Sequence, residues 1–239
     1  NVDFLVVIPA RLGSTRLPRK PLADIGGKPM VVRVAERAKQ SNAQSVVVAT
    51  DSAEIQAACD EHRIECLLTS PDHPTGTDRL AEVAQLLKLP ANALIVNVQG
   101  DEPLIPADLI NQVAQTLADN AACAISTVAV PIVDAAEISN PNVVKVVLNR
   151  SGEALYFSRA SIPFVRDPQS NQNITRYEPE RSFHKSKNVK RQLTHRTDAN
   201  NRGTVRFTWV IAPINTFDAE ITSTDMDDAI ARHACSIFY

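Results

Sequence analysis

Phe4-Leu5-Val6-Val7-Ile8, running into Pro9-Ala10-Arg11-Leu12-Gly13-Ser14-Thr15-Arg16-Leu17-Pro18-Arg19-Lys20-Pro21-Leu22, is the stretch from which the chain is read. An unbroken apolar run with β-branched residues is the pattern of a strand buried on both faces, as in a parallel sheet. The loop that leaves it sets Arg11, Arg16 and Lys20 among Gly, Ser and Pro. Open α/β sheets bind ligands beyond the carboxyl ends of their strands, so this loop is expected to grip a polyphosphate. A nucleoside triphosphate brings roughly four negative charges, and its transfer chemistry depends mainly on positioning and charge neutralisation. Arg11 and Arg16 offer planar forks to phosphate oxygens, and Lys20 a compact charge. The opposing reading is a solvated basic loop. Prolines that fix the backbone between the cations count against it.

The pattern continues outward from this loop. Apolar runs at Phe4 to Ile8, Val46 to Thr50, Ile64 to Leu68, Leu94 to Val98, Ala124 to Ala129 and Val143 to Leu148 predict strands. Between them, Met30 to Gln40, Ala53 to His62, Thr77 to Leu87 and Pro106 to Leu117 carry apolar residues at helical spacing, with Pro106 suited to a first helical turn. Repeated β-α-β crossovers imply an α/β fold: a mainly parallel, Rossmann-like sheet with helices on both faces. From about residue 168 the character changes. Gln169 to Asn173 is polar and low in complexity, and residues 175–206 hold nine Lys/Arg against three acids. Such a segment has little apolar surface to bury, so the C-terminal third is expected to be irregular or disordered. Residues 205–221 regain apolar content, and Asp225 to His233 could form a short helix. The expected organisation is a nucleotide-handling α/β domain over 1–167 and an atypical segment over 168–239.

At 239 residues the chain can bury one large α/β core. A formal net charge of -2 argues against a surface built for nucleic acid, and no basic, aromatic-interleaved reading motif is present. Cys59, Cys66, Cys123 and Cys235 lack CxxC or metal-like spacing and read as ordinary thiols of a reducing compartment, so a cytoplasmic location is expected. No apolar run approaches membrane-spanning length, and the start lacks the layout of a signal peptide. The chain opens on Asn1, two residues from the first strand, leaving room for an initiator segment ahead of it.

Four further stretches carry chemistry. Val96-Asn97-Val98-Gln99-Gly100-Asp101-Glu102-Pro103 delivers Gln99 and Asp101 to the end of a predicted buried strand, where Gly100 permits close backbone approach. Asp101 is a candidate magnesium ligand, because Mg2+ takes one or two carboxylates and completes its shell with substrate phosphates and water. A turn aspartate capping the helix from Pro106 is the opposing reading. Glu102 is expected to support the loop. In Thr69-Ser70-Pro71-Asp72-His73-Pro74-Thr75-Gly76-Thr77-Asp78-Arg79-Leu80, the stretch Thr75 to Thr77 can present backbone groups and hydroxyls to a base or ribose. Arg79 lies one turn into the next helix, and Asp72 and His73 are set aside as turn residues. Asn140-Pro141-Asn142-Val143-Val144-Lys145-Val146-Val147 places Lys145 between valines, where alternation turns it to the opposite face from Val144 and Val146, toward a site or an interface. Ala154-Leu155-Tyr156-Phe157-Ser158-Arg159 offers Arg159 as a partner for an acidic sugar or a phosphate, or as an ordinary surface cation.

Together these strings resemble the CMP-Kdo synthetases, the 3-deoxy-manno-octulosonate cytidylyltransferases. The loop resembles their PAR..S.RLP.KPL, and the later stretches resemble VNVQGDEP, T..DH.SGT.RL, NPN.VKVV and ALYFSRA.IP, with Thr75 in place of the usual serine. The resemblance covers residues 4–167. It implies transfer of CMP from CTP to Kdo with release of pyrophosphate, a Mg2+ cofactor held by Asp101, and a homodimer. It also implies that Arg11, Lys20 and Asp101 are catalytic, and that Ser14, Arg16, Gly76, Thr77, Arg79, Gln99 and Arg159 bind substrate. The expected partners are the small molecules CTP and Kdo, with no nucleic acid and no membrane. The family's RHIGIY, LE.LEQLR and GVDTPEDL strings do not appear in residues 168–239. That departure leaves two alternatives open: a cytidylyltransferase for another acidic sugar such as a neuraminate, or a nucleotide-binding remnant without turnover.

Overall fold

The computed structural model describes residues 2–13, 17–73, 76–90, 92–120, 123, 125–132, 134–148 and 154–162, with three later strands. In chain order the strands are β1 (Phe4–Ala10), β2 (Ser45–Thr50), β3 (Glu65–Leu68), β4 (Leu94–Val98), β5 (Ile125–Pro131), β6 (Val144–Leu148), β7 (Ala154–Ser158), β8 (His184–Ser186), β9 (Thr208–Ile211) and β10 (Ala234–Phe238). The helices are α1 (Met30–Ala38), α2 (Ala53–Glu61), α3 (Gly76–Leu86), α4 (Ala107–Asp119) and α5 (Ala135–Ser139). The chain divides into two compact units, Asn1–Gln115 with Thr208–Ser223, and Thr116–Phe207 with Thr224–Tyr239.

In the first unit β3, β2, β1 and β4 lie side by side and parallel, in that order, and β9 pairs antiparallel with β4. Every residue from Phe4 to Ile8 is buried. Successive side chains of a strand point to opposite faces, so both faces of β1 are covered, and each fully buried Val or Ile stabilises the fold by about 1.5–3 kcal/mol. α1 buries Val31, Val32, Val34, Ala35 and Ala38, a stripe at helical spacing, and packs on β1 and β2. Its other side carries Arg33 and Glu36, where Glu36 pairs with Lys28. α2 starts at Ser52, whose hydroxyl accepts the Ile55 amide, and lies along β2 and β3. From β1 the chain runs through β2 to β3 on one side, and then returns to place β4 on the other side of β1. The direction of winding therefore reverses between β1 and β4, and such a switch point is where doubly wound sheets open a crevice for ligands.

The second unit pairs β5 parallel with β10 and antiparallel with β8, and β6 antiparallel with both β7 and β8. Its buried residues include Val144, Lys145, Val146 and Phe157. α5, capped by Asp134 on the Ala136 amide, is an element that hydrophobic periodicity did not predict. The α/β reading with a parallel sheet holds for β1 to β4, and the antiparallel pairs are those of β6 with β7 and of the late strands β8 and β9. The expected irregularity of 168–239 and the helix at Asp225 to His233 lie outside the described residues, apart from β8, β9 and β10. Among the described residues no helix is long and apolar enough to cross a membrane. Cys59 and Cys66 are free thiols, whereas Cys123 is disulfide-bonded, which departs from the expectation of four ordinary thiols.

Candidate active site

Pro9, at the end of β1, is where the loops of the first unit meet. A Cβ added to Gly100 would lie 3.0 Å from the Pro9 carbonyl oxygen, and one added to Gly76 would lie 3.5 Å from Pro9 Cγ. The β4 loop and the start of α3 thus close on the end of β1, and at residue 100 a Cβ would crowd the Pro9 backbone.

The loop after β1 reaches Lys20 through a single 3-10 turn, Lys20–Leu22, entered from Arg19 in the left-handed region at φ 57°. Arg19 is held in that conformation beside Glu54, with which it forms an ion pair. Lys20 Nζ donates to Asp101 Oδ2 at 2.6 Å, with the two side chains 35% and 28% exposed. The cation of the first motif and the carboxylate of the second, assigned separately from sequence, are therefore in contact at the switch point. Arg11 is exposed on the same loop, while Ser14 and Arg16 lie outside the described residues. Gln99 is half-buried and its carbonyl accepts the Glu102 amide at 3.1 Å. Glu102 itself is 2% exposed, in keeping with a loop support and not an outward ligand.

Gly76 is exposed at the start of α3 and Thr77 is buried. Arg79 has a different setting from the substrate contact expected of it. It is 3% exposed, and its guanidinium donates to Thr69 Oγ1 at 2.5 Å and to Asp51 Oδ2 at 2.8 Å. A buried guanidinium with a carboxylate partner is a brace, and here it ties together the loops that follow β2 and β3. The neighbouring turn is fixed by Glu82, which accepts the Ser70 amide at 2.8 Å and pairs with His73. Burial raises the Glu82 carboxyl, but the His73 and Ser70 hydrogen bonds and the Arg79 charge outweigh it and hold the group below its usual value. Asp51 and Thr69 were missed in the sequence. The signal for Asp51 was available, since it directly follows a predicted strand at its carboxyl end.

Arg159 belongs to the second unit, just after β7, and its Nη1 donates to the Pro141 carbonyl at 2.8 Å. Lys145 is corrected: neither site-facing nor at an interface, it is fully buried, as are both flanking valines. Burial, and then the charge of Arg159, bring its ammonium down to about 8.

Among the described residues no group of three or more His, Cys, Asp or Glu is gathered as a metal cage. Asp101 nonetheless fits one carboxylate of a magnesium site completed by substrate oxygens, because it is partly open and already faced by a cation.

Residues 5–212 match the family described as Cytidylyltransferase. The 3-deoxy-manno-octulosonate cytidylyltransferase of Polynucleobacter necessarius subsp. necessarius is 88% identical over 170 residues, 71% of this chain and 67% of that protein. The protein of the same name from Polynucleobacter asymbioticus is 86% identical over 167 residues, 70% of this chain and 66% of that protein. The matching stretch thus spans about two thirds of the length of these relatives. A solved CMP:2-keto-3-deoxy-manno-octonic acid synthetase complexed with CTP superposes with a TM-score of 0.72 at 29% identity, covering 100% of this chain and 91% of its own. HddC from Yersinia pseudotuberculosis, with a TM-score of 0.59 at 13% identity over 98% of this chain and 90% of its own, shares the fold alone.

Proposed function

The chain belongs to the cytidylyltransferase family, and from that premise we propose that it transfers CMP from CTP to 3-deoxy-manno-octulosonate (Kdo) and releases pyrophosphate. The observation that carries this reading is the 2.6 Å contact of Lys20 with Asp101 at the switch point between β1 and β4. The anomeric hydroxyl of the sugar attacks the α-phosphorus in line and gives up its proton to solvent. The bond from the α-phosphorus to the bridging oxygen of the β-phosphate breaks, and no covalent enzyme intermediate is needed.

Each residue has a part in this reaction. In the free protein Lys20 neutralises Asp101. When the triphosphate enters, its denser negative charge draws Lys20 toward the leaving phosphates, joined by Arg11 and Arg16, which leaves Asp101 as the carboxylate that would hold Mg2+. Magnesium, when bound, offsets charge on the α-phosphate. In this reading Ser14, Gly76, Thr77 and Gln99 bind the nucleotide, and Arg159 binds the carboxylate of the sugar. Arg79 serves the same side through Asp51 and Thr69, keeping the loops in place.

Asp101→Asn tests this directly. The amide keeps the size of the side chain and removes the charge that holds the cation. Calorimetry of CTP with and without Mg2+ is expected to show a magnesium-induced gain in affinity for the wild type and none for the variant. An Asp101→Asn protein that binds MgCTP as tightly as the wild type would remove Asp101 from the metal site.

A further inference from the structure

Lys145 is 0% exposed, and no carboxylate pairs with it among the described residues. Its Nζ donates to the carbonyls of Asn140 at 2.8 Å, Val143 at 2.8 Å and Arg159 at 2.7 Å. An ammonium has three protons and accepts nothing, so its donors are fully used inside the protein and none remains for a ligand. The acceptors come from two pieces of chain: the turn at residues 140–143 between α5 and β6, and the exit from β7. The tie is returned from the other side. Arg159 Nη1 donates to the Pro141 carbonyl at 2.8 Å, and Ser161 Oγ to that of Ile138 at 3.0 Å. The β6 and β7 register, with Lys145 opposite Ser158, puts the ammonium under the residue that follows Ser158. A methionine would fill the same space without the cost of burying a charge, so packing alone gives no reason for a lysine here. Three donors on one flexible stem are what this arrangement requires.

We propose that Lys145 is a positioning residue that fixes the main chain of Arg159 and the turn at residues 140–143, so that the Arg159 guanidinium is held ready for the carboxylate of the acidic sugar. This rests on the reading of Arg159 given above. A group that acts only through Arg159 leaves the nucleotide side untouched, and its effect disappears once Arg159 is gone.

The test compares Lys145→Met, Lys145→Gln, Arg159→Ala and the double variant Lys145→Met/Arg159→Ala, with folding checked by circular dichroism and melting. The readouts are KM for Kdo and for CTP, together with calorimetric binding of Kdo in the presence of CTP. Lys145→Met is expected to raise KM and Kd for Kdo about tenfold or more while KM for CTP stays within about twofold, and the double variant to match Arg159→Ala alone. Lys145→Gln, which keeps two donors, is expected to fall between wild type and Lys145→Met. Equal losses for both substrates, unchanged Kdo affinity, or additive effects in the double variant would overturn the proposal. So would failure of both Lys145 variants to fold, since a core role would then suffice. If Arg159→Ala weakens Kdo and Lys145→Met does not, only this inference falls. If Arg159→Ala leaves Kdo unaffected, or the wild type binds no Kdo, the reading of the sugar side falls with it.

Discussion

Lys20 and Asp101 stand 81 residues apart in the chain and 2.6 Å apart in space. A part-exposed ion pair of this kind contributes only about 0–1 kcal/mol to stability, so its presence at the switch point is better explained by charge handling than by folding. The pair supplies a cation for a phosphate and a carboxylate for a metal, and it keeps each neutralised by the other until a ligand separates them. Lys20→Ala and Arg11→Ala are therefore expected to weaken CTP binding far more than CMP binding, since the outer phosphates are what these cations meet. Calorimetry with both nucleotides checks this; equal losses for the two ligands would move the side chains away from the outer phosphates. The sequence offered both residues but not their contact, because periodicity places strands in a sheet without saying which loops touch. Arg79 shows the opposite failure. Its place in a family string marked it for substrate, and only the fold reveals that Thr69 and Asp51 surround its guanidinium.

β1 and β4 were legible because their apolar runs are long enough to be buried on both faces, and the loops behind them followed from the rule for parallel sheets. Gly100 sits where that arrangement is tightest. An alanine there would place Cβ 3.0 Å from the Pro9 carbonyl, a backbone atom that cannot swing aside. Gly100→Ala is expected to push the β4 loop, and Asp101 with it, off its position, lowering kcat/KM by about tenfold or more because small misplacements of reacting groups are costly. Steady-state kinetics with a melting curve checks this: normal activity would show that the approach to Pro9 is immaterial. α5 and β8 were not legible. Five and three residues are too few for a periodic pattern to rise above the surrounding sequence. Lys145 was half legible: alternation set it apart from its valines, but the carbonyls that take its protons lie in the turn at 140–143 and just after β7, where periodicity says nothing.

At the scale of the molecule, the late part of the sequence holds most of what could not be foreseen. β9 takes the place beside β4, with Trp209 in register with Asn97, although it comes from a stretch that regains apolar content only after the charged tract, more than 100 residues downstream. An antiparallel strand can join a sheet edge wherever backbone donors and acceptors are open, and four residues suffice once β4 supplies the ladder. Composition read the charged tract before it, and could not see that pairing. The family strings lost after residue 167 make turnover by the whole molecule the central matter. The most direct measurement is to incubate the purified chain with CTP, Mg2+ and Kdo and to follow the phosphorus resonances. Loss of CTP with equimolar appearance of CMP-Kdo and pyrophosphate, absent when Kdo is omitted, is the result expected; CTP that binds yet remains intact with Kdo present would contradict the account.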